Sequence, residues 1–181
     1  MVRKLLRSVR EYKKHSILAP VFVIFEVIME VVIPLLMANL IDFGIDDGNL
    51  EYIVKMGVVL VVFALISLIF GILSGRSAAI ASAGFAKNLR KDMYYKVQNF
   101  SFSNIDKFST ASIVTRLTTD ITNVQNAYMM IIRVAVRAPI MLICALVLAF
   151  NVNSSMALIF LYIVPILAVG LFFIMSKAHP I

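Results

Sequence analysis

Apolar residues in this chain come in long unbroken runs rather than in alternation, and the polar residues gather in the intervals between them. The first run covers 17–41 and carries charge only at Glu26 and Glu30. A second covers 53–75 and is uncharged from Met56 onward, and a third covers 127–150 with Arg133 and Arg137 in its first half. The fourth, 156–176, has no charge at all. At about 1.5 Å per residue each run is long enough for a hydrocarbon layer about 30 Å thick. Backbone amides in lipid must be satisfied within their own segment, so the runs predict helices. The fold class is all-α integral membrane, with four long transmembrane helices.

The intervals carry their own pattern. Arg76 to Asn99 contains no proline and one glycine, Gly84. Phe85, Leu89, Met93 and Val97 recur every fourth residue and form one apolar stripe, while Lys87, Arg90 and Lys91 fall elsewhere. Nothing there stops a helix, so the second helix is predicted to continue from Met56 to about Asn99, roughly 65 Å. Ser112 to Phe150 likewise reads as one long helix, without proline until Pro139. The two extensions form a helical hairpin over 76–126 that reaches beyond the membrane. Its tip is FSFSNIDKFSTASIVTRLTTD, residues 100–120, where Phe100, Phe102 and Phe108 interrupt a polar passage. Aromatic side chains on an exposed tip suit a contact site; a connector packed on its own hairpin is the other reading.

At the start, VRKLLRSVREYKKH places Val2, Leu5, Leu6, Val9 and Tyr12 near helical spacing with cations on the other face. That predicts an interfacial amphipathic helix over 1–15, with a plain basic topology signal as the alternative. A signal peptide is excluded, since the following apolar run is too long and lacks a clear small-residue cleavage site.

Composition settles the class. The chain is 61% hydrophobic and 15% charged, with a mean hydropathy of +0.95, far from the soluble globular range. A net charge of +7 could suggest nucleic acid, but the cations cluster by loop. Arg3, Lys4, Arg7, Arg10, Lys13 and Lys14 precede the first run, and Arg76, Lys87, Arg90, Lys91, Lys96, Lys107 and Arg116 lie between the second and third. Asp42, Asp46, Asp47 and Glu51 dominate the interval between the first and second. Basic loops stay inside, so both ends are expected in the cytoplasm, in a multi-pass protein of the cell membrane with no nucleic-acid partner. The lone Cys144 lies in an apolar run and reads as a small hydrophobe; no disulfide framework or multi-cysteine metal site is expected.

Glu26 and Glu30, four apart, share a face of the first helix, as Arg133 and Arg137 do on the third. Counting from the outer ends puts Glu26 roughly 22 Å down and Arg137 roughly 20 Å down, which permits an ion pair. Charges at such depth face a bundle interior or a wet cavity, as a structural pair or as groups that select cationic substrates.

PLLMANLIDFGI leaving the first run, then KNLRKDMYYKVQNFSFSNIDKFSTASIVTRLTTDI and the closing LYIVPILAVGLFFIMSKAHPI, resemble in order and spacing the membrane domain of ATP-binding cassette exporters. The likeness is to bacterial six-helix half-transporters of the multidrug and lipid type, and covers essentially the whole chain, with 16–181 as the N-terminal part of the transmembrane domain. It implies a coupling helix at 101–109, with Ser101, Phe102, Ile105, Asp106 and Phe108 against a nucleotide-binding domain. It also implies a second identical or homologous half-transporter, a lipid environment, and ATP and Mg on the nucleotide-binding domain. Ala111 stands where the family commonly has Gly. No GxxxxGK[ST] stretch occurs, and no catalytic, cofactor or metal residue is expected in these residues. The chain therefore reads as an N-terminal fragment or truncated reading frame, with a complete four-helix protein as the alternative. The expected function is the permease portion of an ATP-driven exporter. A stand-alone four-helix protein is the competing reading, either an assembly module or a small secondary transporter with Glu26 and Glu30 as proton carriers.

Overall fold

The structure, a computed structural model, describes residues 7–99 and 110–178, and no strand occurs among them. A short 3-10 segment, Arg7–Tyr12, leads into α1 (Lys13–Leu40), which ends in a π-helical turn, Ile41–Ile45. The long α2 (Leu50–Gln98) follows, then the short α3 (Thr110–Thr115) and a second π-helical turn, Arg116–Asp120. That turn feeds directly into α4 (Ile121–Val152), and α5 (Ser154–Ala178) completes the chain. Among the described residues, four helical stretches are long and apolar enough to cross a membrane by length and composition: Arg7–Ile45, Leu50–Gln98, Ala111–Val152 and Ala157–Lys177.

Local chemistry explains where α2 starts. Gly48 takes a positive φ of 67°, and the Asn49 amide reaches back to the Gly44 carbonyl at 2.9 Å. The Asn49 side chain then accepts the Tyr52 amide at 3.1 Å, satisfying one of the orphan donors of the first turn. From there α2 runs 49 residues without proline, so the apolar second run and the polar extension are one helix, as the periodicity predicts.

Residues 1–139 and 140–181 form two compact units. In the first, α1 packs along α2, burying Ala19, Val23 and Val27 on α1. On α2 the buried positions include Ser74, Ser77, Ala78, Ala81, Ser82 and Gly84, a face of small residues. Small side chains let two helix backbones approach closely, which replaces the hydrophobic drive that lipid cannot supply. Phe70 of α2 adds ring contacts to Phe25 at 5.3 Å and Phe22 at 6.2 Å. Further along α2 the predicted stripe lands in a core cluster: Val9, Phe85, Ala86, Leu89 and Ile121 are buried, with Met93, Leu117 and Tyr128 packed against them. In the second unit, Leu142, Ala145, Leu146 and Ala149 of α4 face Phe160 and Val164 of α5 across a cleft of about 110 Å³.

One expected helix is not uniform. The path from Thr110 to Val152 is helical throughout, but Arg116–Asp120 winds as a π turn. Hydroxyls explain it. Thr115, Thr118 and Thr122 donate to the carbonyls of Ala111, Val114 and Thr118 at 3.0, 2.8 and 3.0 Å. Arg90 Nε of α2 takes the Leu117 carbonyl at 3.2 Å. Donors inserted into the carbonyl ladder compete with the amides and widen the turn. The N-terminal segment also departs from a regular helix, since 7–12 wind as 3-10 with a break at Arg10 (φ 39°, ψ −113°).

Candidate functional site

α1 carries Glu26 and Glu30 one turn apart, and α4 carries Arg133 and Arg137 one turn apart. The structure brings three of the four together. Arg137 spans both acids: Nη1 donates to Glu26 Oε1 at 2.7 Å and Nη2 to Glu30 Oε2 at 2.5 Å. A guanidinium offers donors on separate nitrogens, which suits two carboxylates one helical turn apart better than a point charge would. Glu26 is the most enclosed of the three, its side chain only 12% exposed.

Arg133 is not part of this bridge and has no ion pair or hydrogen bond among the described residues. Its Nη1 lies 3.7 Å from where a Cβ on Gly75 would be, and Glu26 Oε1 lies 3.2 Å from the same point on Gly71. Gly71 and Gly75 are four apart, so both charged side chains rest on one face of α2. Beside them is a cavity of about 550 Å³ lined by Glu26, Ile33, Ala64, Ser67, Leu68, Gly71, Ile72 and Arg133. Glu26 Oε2 is buried with no hydrogen-bond partner among the described residues, and the Ser74 hydroxyl on α2 is in the same condition. Sequence reading found the four charges and missed the glycines. Their signal was GILSG, the small-xxx-small spacing that marks close approach in apolar helices.

A second constellation fixes the N-terminal segment to α2. Ser8 Oγ donates to Asp92 Oδ2 at 3.1 Å, Arg10 Nη2 donates to Asp92 Oδ1 at 2.8 Å, and Asn88 Nδ2 donates to the Ser8 carbonyl at 3.0 Å. The Tyr12 ring lies directly over Gly84, 2.4 Å from the position a Cβ would take. Tyr128 of α4 stacks on Phe85 at 4.6 Å and donates its hydroxyl to Ser16 Oγ at 2.8 Å. The single glycine of the polar extension is therefore a seat for an aromatic ring. Ser101, Phe102, Ile105, Asp106 and Phe108 lie outside the described residues.

Residues 16–181 match the family model described as ABC transporter transmembrane region. The chain is 34% identical over 176 residues to an uncharacterised ABC transporter ATP-binding protein of Bacillus subtilis, covering 97% of this chain and 31% of that protein. It is 26% identical over 182 residues to an uncharacterised ABC transporter ATP-binding protein of Mycobacterium tuberculosis, covering 100% of this chain and 31% of that one. An ATP-dependent lipid A-core flippase of Pseudoalteromonas translucida is 24% identical over 167 residues, covering 92% and 29% respectively. The chain thus spans about a third of the length of the curated relatives it matches.

Proposed function

Because the chain belongs to the family of ABC transporter transmembrane regions, and is a multi-pass membrane protein, we propose that it forms part of the translocation pathway of an ATP-driven exporter. The observation that carries this is the family match over 16–181. Relatives named as ATP-binding proteins support an ABC nucleotide-binding domain as the partner. ATP and Mg belong to that domain in this reading, and a second identical or homologous half completes the pathway. Basic loops put the N-terminus in the cytoplasm of a cell-membrane protein. The α2 helix supports a coupling tip at 101–109, because it runs unbroken to Gln98 and so ends next to that segment.

Within the membrane, the Arg137 bridge neutralises one carboxylate and ties α1 to α4, while Glu26 and Arg133 line the adjoining cavity. We assign Arg137 and Glu30 to holding the helices, and Glu26 and Arg133 to the face that meets cargo.

Phe108→Ala in the full-length protein tests the coupling reading, since buried aromatics tend to dominate small interfaces. The expected result is loss of substrate-stimulated ATP hydrolysis with membrane insertion unchanged. Full stimulation and transport in that variant would show that the tip packs on its own hairpin instead.

A further inference from the structure

Nothing local fixes the start of α1. α2 opens on Gly48 and the Asn49 cap, but α1 opens after Tyr12 with no side-chain cap and with Lys13 and Lys14 in its first turn. Cations there oppose the helix dipole, and the preceding RSVREY has neither proline nor glycine to bar further turns. A single residue interrupts the helix. Arg10 has φ 39° and ψ −113°, the only positive φ outside glycine among the described residues. A Cβ makes that conformation costly, and such strain persists only where its surroundings impose it.

The surroundings come from α2. Asp92 accepts from Ser8 Oγ with one carboxylate oxygen and from Arg10 Nη2 with the other. Asn88 holds the Ser8 carbonyl, Val9 is buried beside Phe85 and Leu89, and Tyr12 lies over Gly84. The ion pair is open to water, its side chains 49% and 33% exposed, and pairs so placed add little. Backbone strain on one side and a solvated pair on the other are of similar size, so the segment is poised and not locked. The next turn is anchored elsewhere: Ser16 Oγ donates to the Tyr12 carbonyl at 2.9 Å and accepts from Tyr128 of α4. We propose that residues 7–12 are a strap with two arrangements. In the closed one they bend at Arg10 and are clasped to Asp92; in the open one Arg10 relaxes and they continue α1 as further turns. Displacement of α2 past α1 opens the strap, because it draws Asp92 away from a segment whose other end is held at Ser16. The clasp does not rest on the transport reading.

The test is hydrogen–deuterium exchange of residues 7–12 in the full-length detergent-purified protein, with exchange over 50–75 as the check that the bundle is intact. Asp92→Ala should speed exchange of the strap at least about fivefold. Arg10 supplies the sharper comparison, since Arg10→Gly and Arg10→Ala both delete the ion pair. An ordinary helix favours alanine, but glycine takes the backbone angles of Arg10 without strain. The expected result is exchange at least about threefold slower in Arg10→Gly than in Arg10→Ala. This pair decides the matter even if Asp92→Ala fails to fold. Nitroxides at Glu11→Cys and Lys91→Cys, both exposed positions, in a Cys144→Ser background should report a longer distance that grows in Asp92→Ala. Ala78→Leu, which wedges α1 from α2 without touching the strap, should open it as well. Faster exchange in Arg10→Gly than in Arg10→Ala, or a label distance that Asp92→Ala leaves unchanged, overturns the strap. Unchanged exchange of 7–12 in Ala78→Leu overturns opening by displacement.

Discussion

A guanidinium held between two carboxylates inside an apolar bundle matters most when it is taken away. Desolvation cancels much of the attraction in such a bridge, whereas removing one partner strands the others. Arg137→Met should therefore lower unfolding stability by about 3–5 kcal/mol, followed by thermal or SDS-induced unfolding. Adding Glu26→Gln and Glu30→Gln to Arg137→Met should recover most of that loss, because no uncompensated charge remains in the bridge. A triple variant as unstable as the single one would mean that Arg137 contributes packing and not charge. Glycines give a second residue-scale contrast. Gly84→Ala places a methyl group within 2.4 Å of the Tyr12 ring, so the N-terminal segment must lift and its amides exchange faster with deuterium. Gly57→Ala meets nothing within 4 Å and should stabilise α2 by about 1 kcal/mol through helix propensity. The charges were legible in the sequence because four-residue spacing puts them on one face. Which arginine forks across both acids was not, since that depends on the rotation of α4 against α1, and helical periodicity within one segment does not contain it.

Between elements, the α1–α2 contact rests on small side chains rather than on large apolar ones. Ala78 and Ala81 are fully buried on α2, as are Ala19, Val23 and Val27 on α1. Ala78→Leu would push the two backbones apart, at a cost of about 1–3 kcal/mol for overpacking. The expected outcome is lower thermal stability and poorer expression, while Leu68→Ala on an exposed face should change neither. The long helices were legible because runs of apolar residues and a stripe at every fourth position are local signals. The π turn at Arg116–Asp120 was not. It depends on Thr hydroxyls taking carbonyls within the helix and on Arg90 arriving from α2, and only the first of these is written nearby. The 3-10 break at Arg10 likewise depends on Asp92, 82 residues away in sequence.

At the scale of the molecule, orientation is open to a direct measurement. In a Cys144→Ser background, a cysteine at Asp47 should react with an impermeant thiol reagent added to intact cells, and one at Asn104 should not. Labelling of both at similar rates would reverse or break the positive-inside assignment. The family could be read because its likeness is spread over the whole chain in order, without depending on any one contact. The cavity beside Gly71 and Gly75 could not, because its walls come from α1, α2 and α4 and exist only once the three have packed.

The unbroken length of α2 has a geometric consequence. At about 1.5 Å per residue, Leu50–Gln98 extends about 74 Å. A tilt of one degree about its first turn then carries its last turn through about 1.3 Å, and about 5° exceeds the pitch of a helix. Contacts between side chains fade over a few ångströms, but an angle grows with distance from its pivot. α1 carries Pro20 and Pro34 and can bend where α2, which has none, must swing. A small rotation near Asn49 would thus reach Gln98 enlarged.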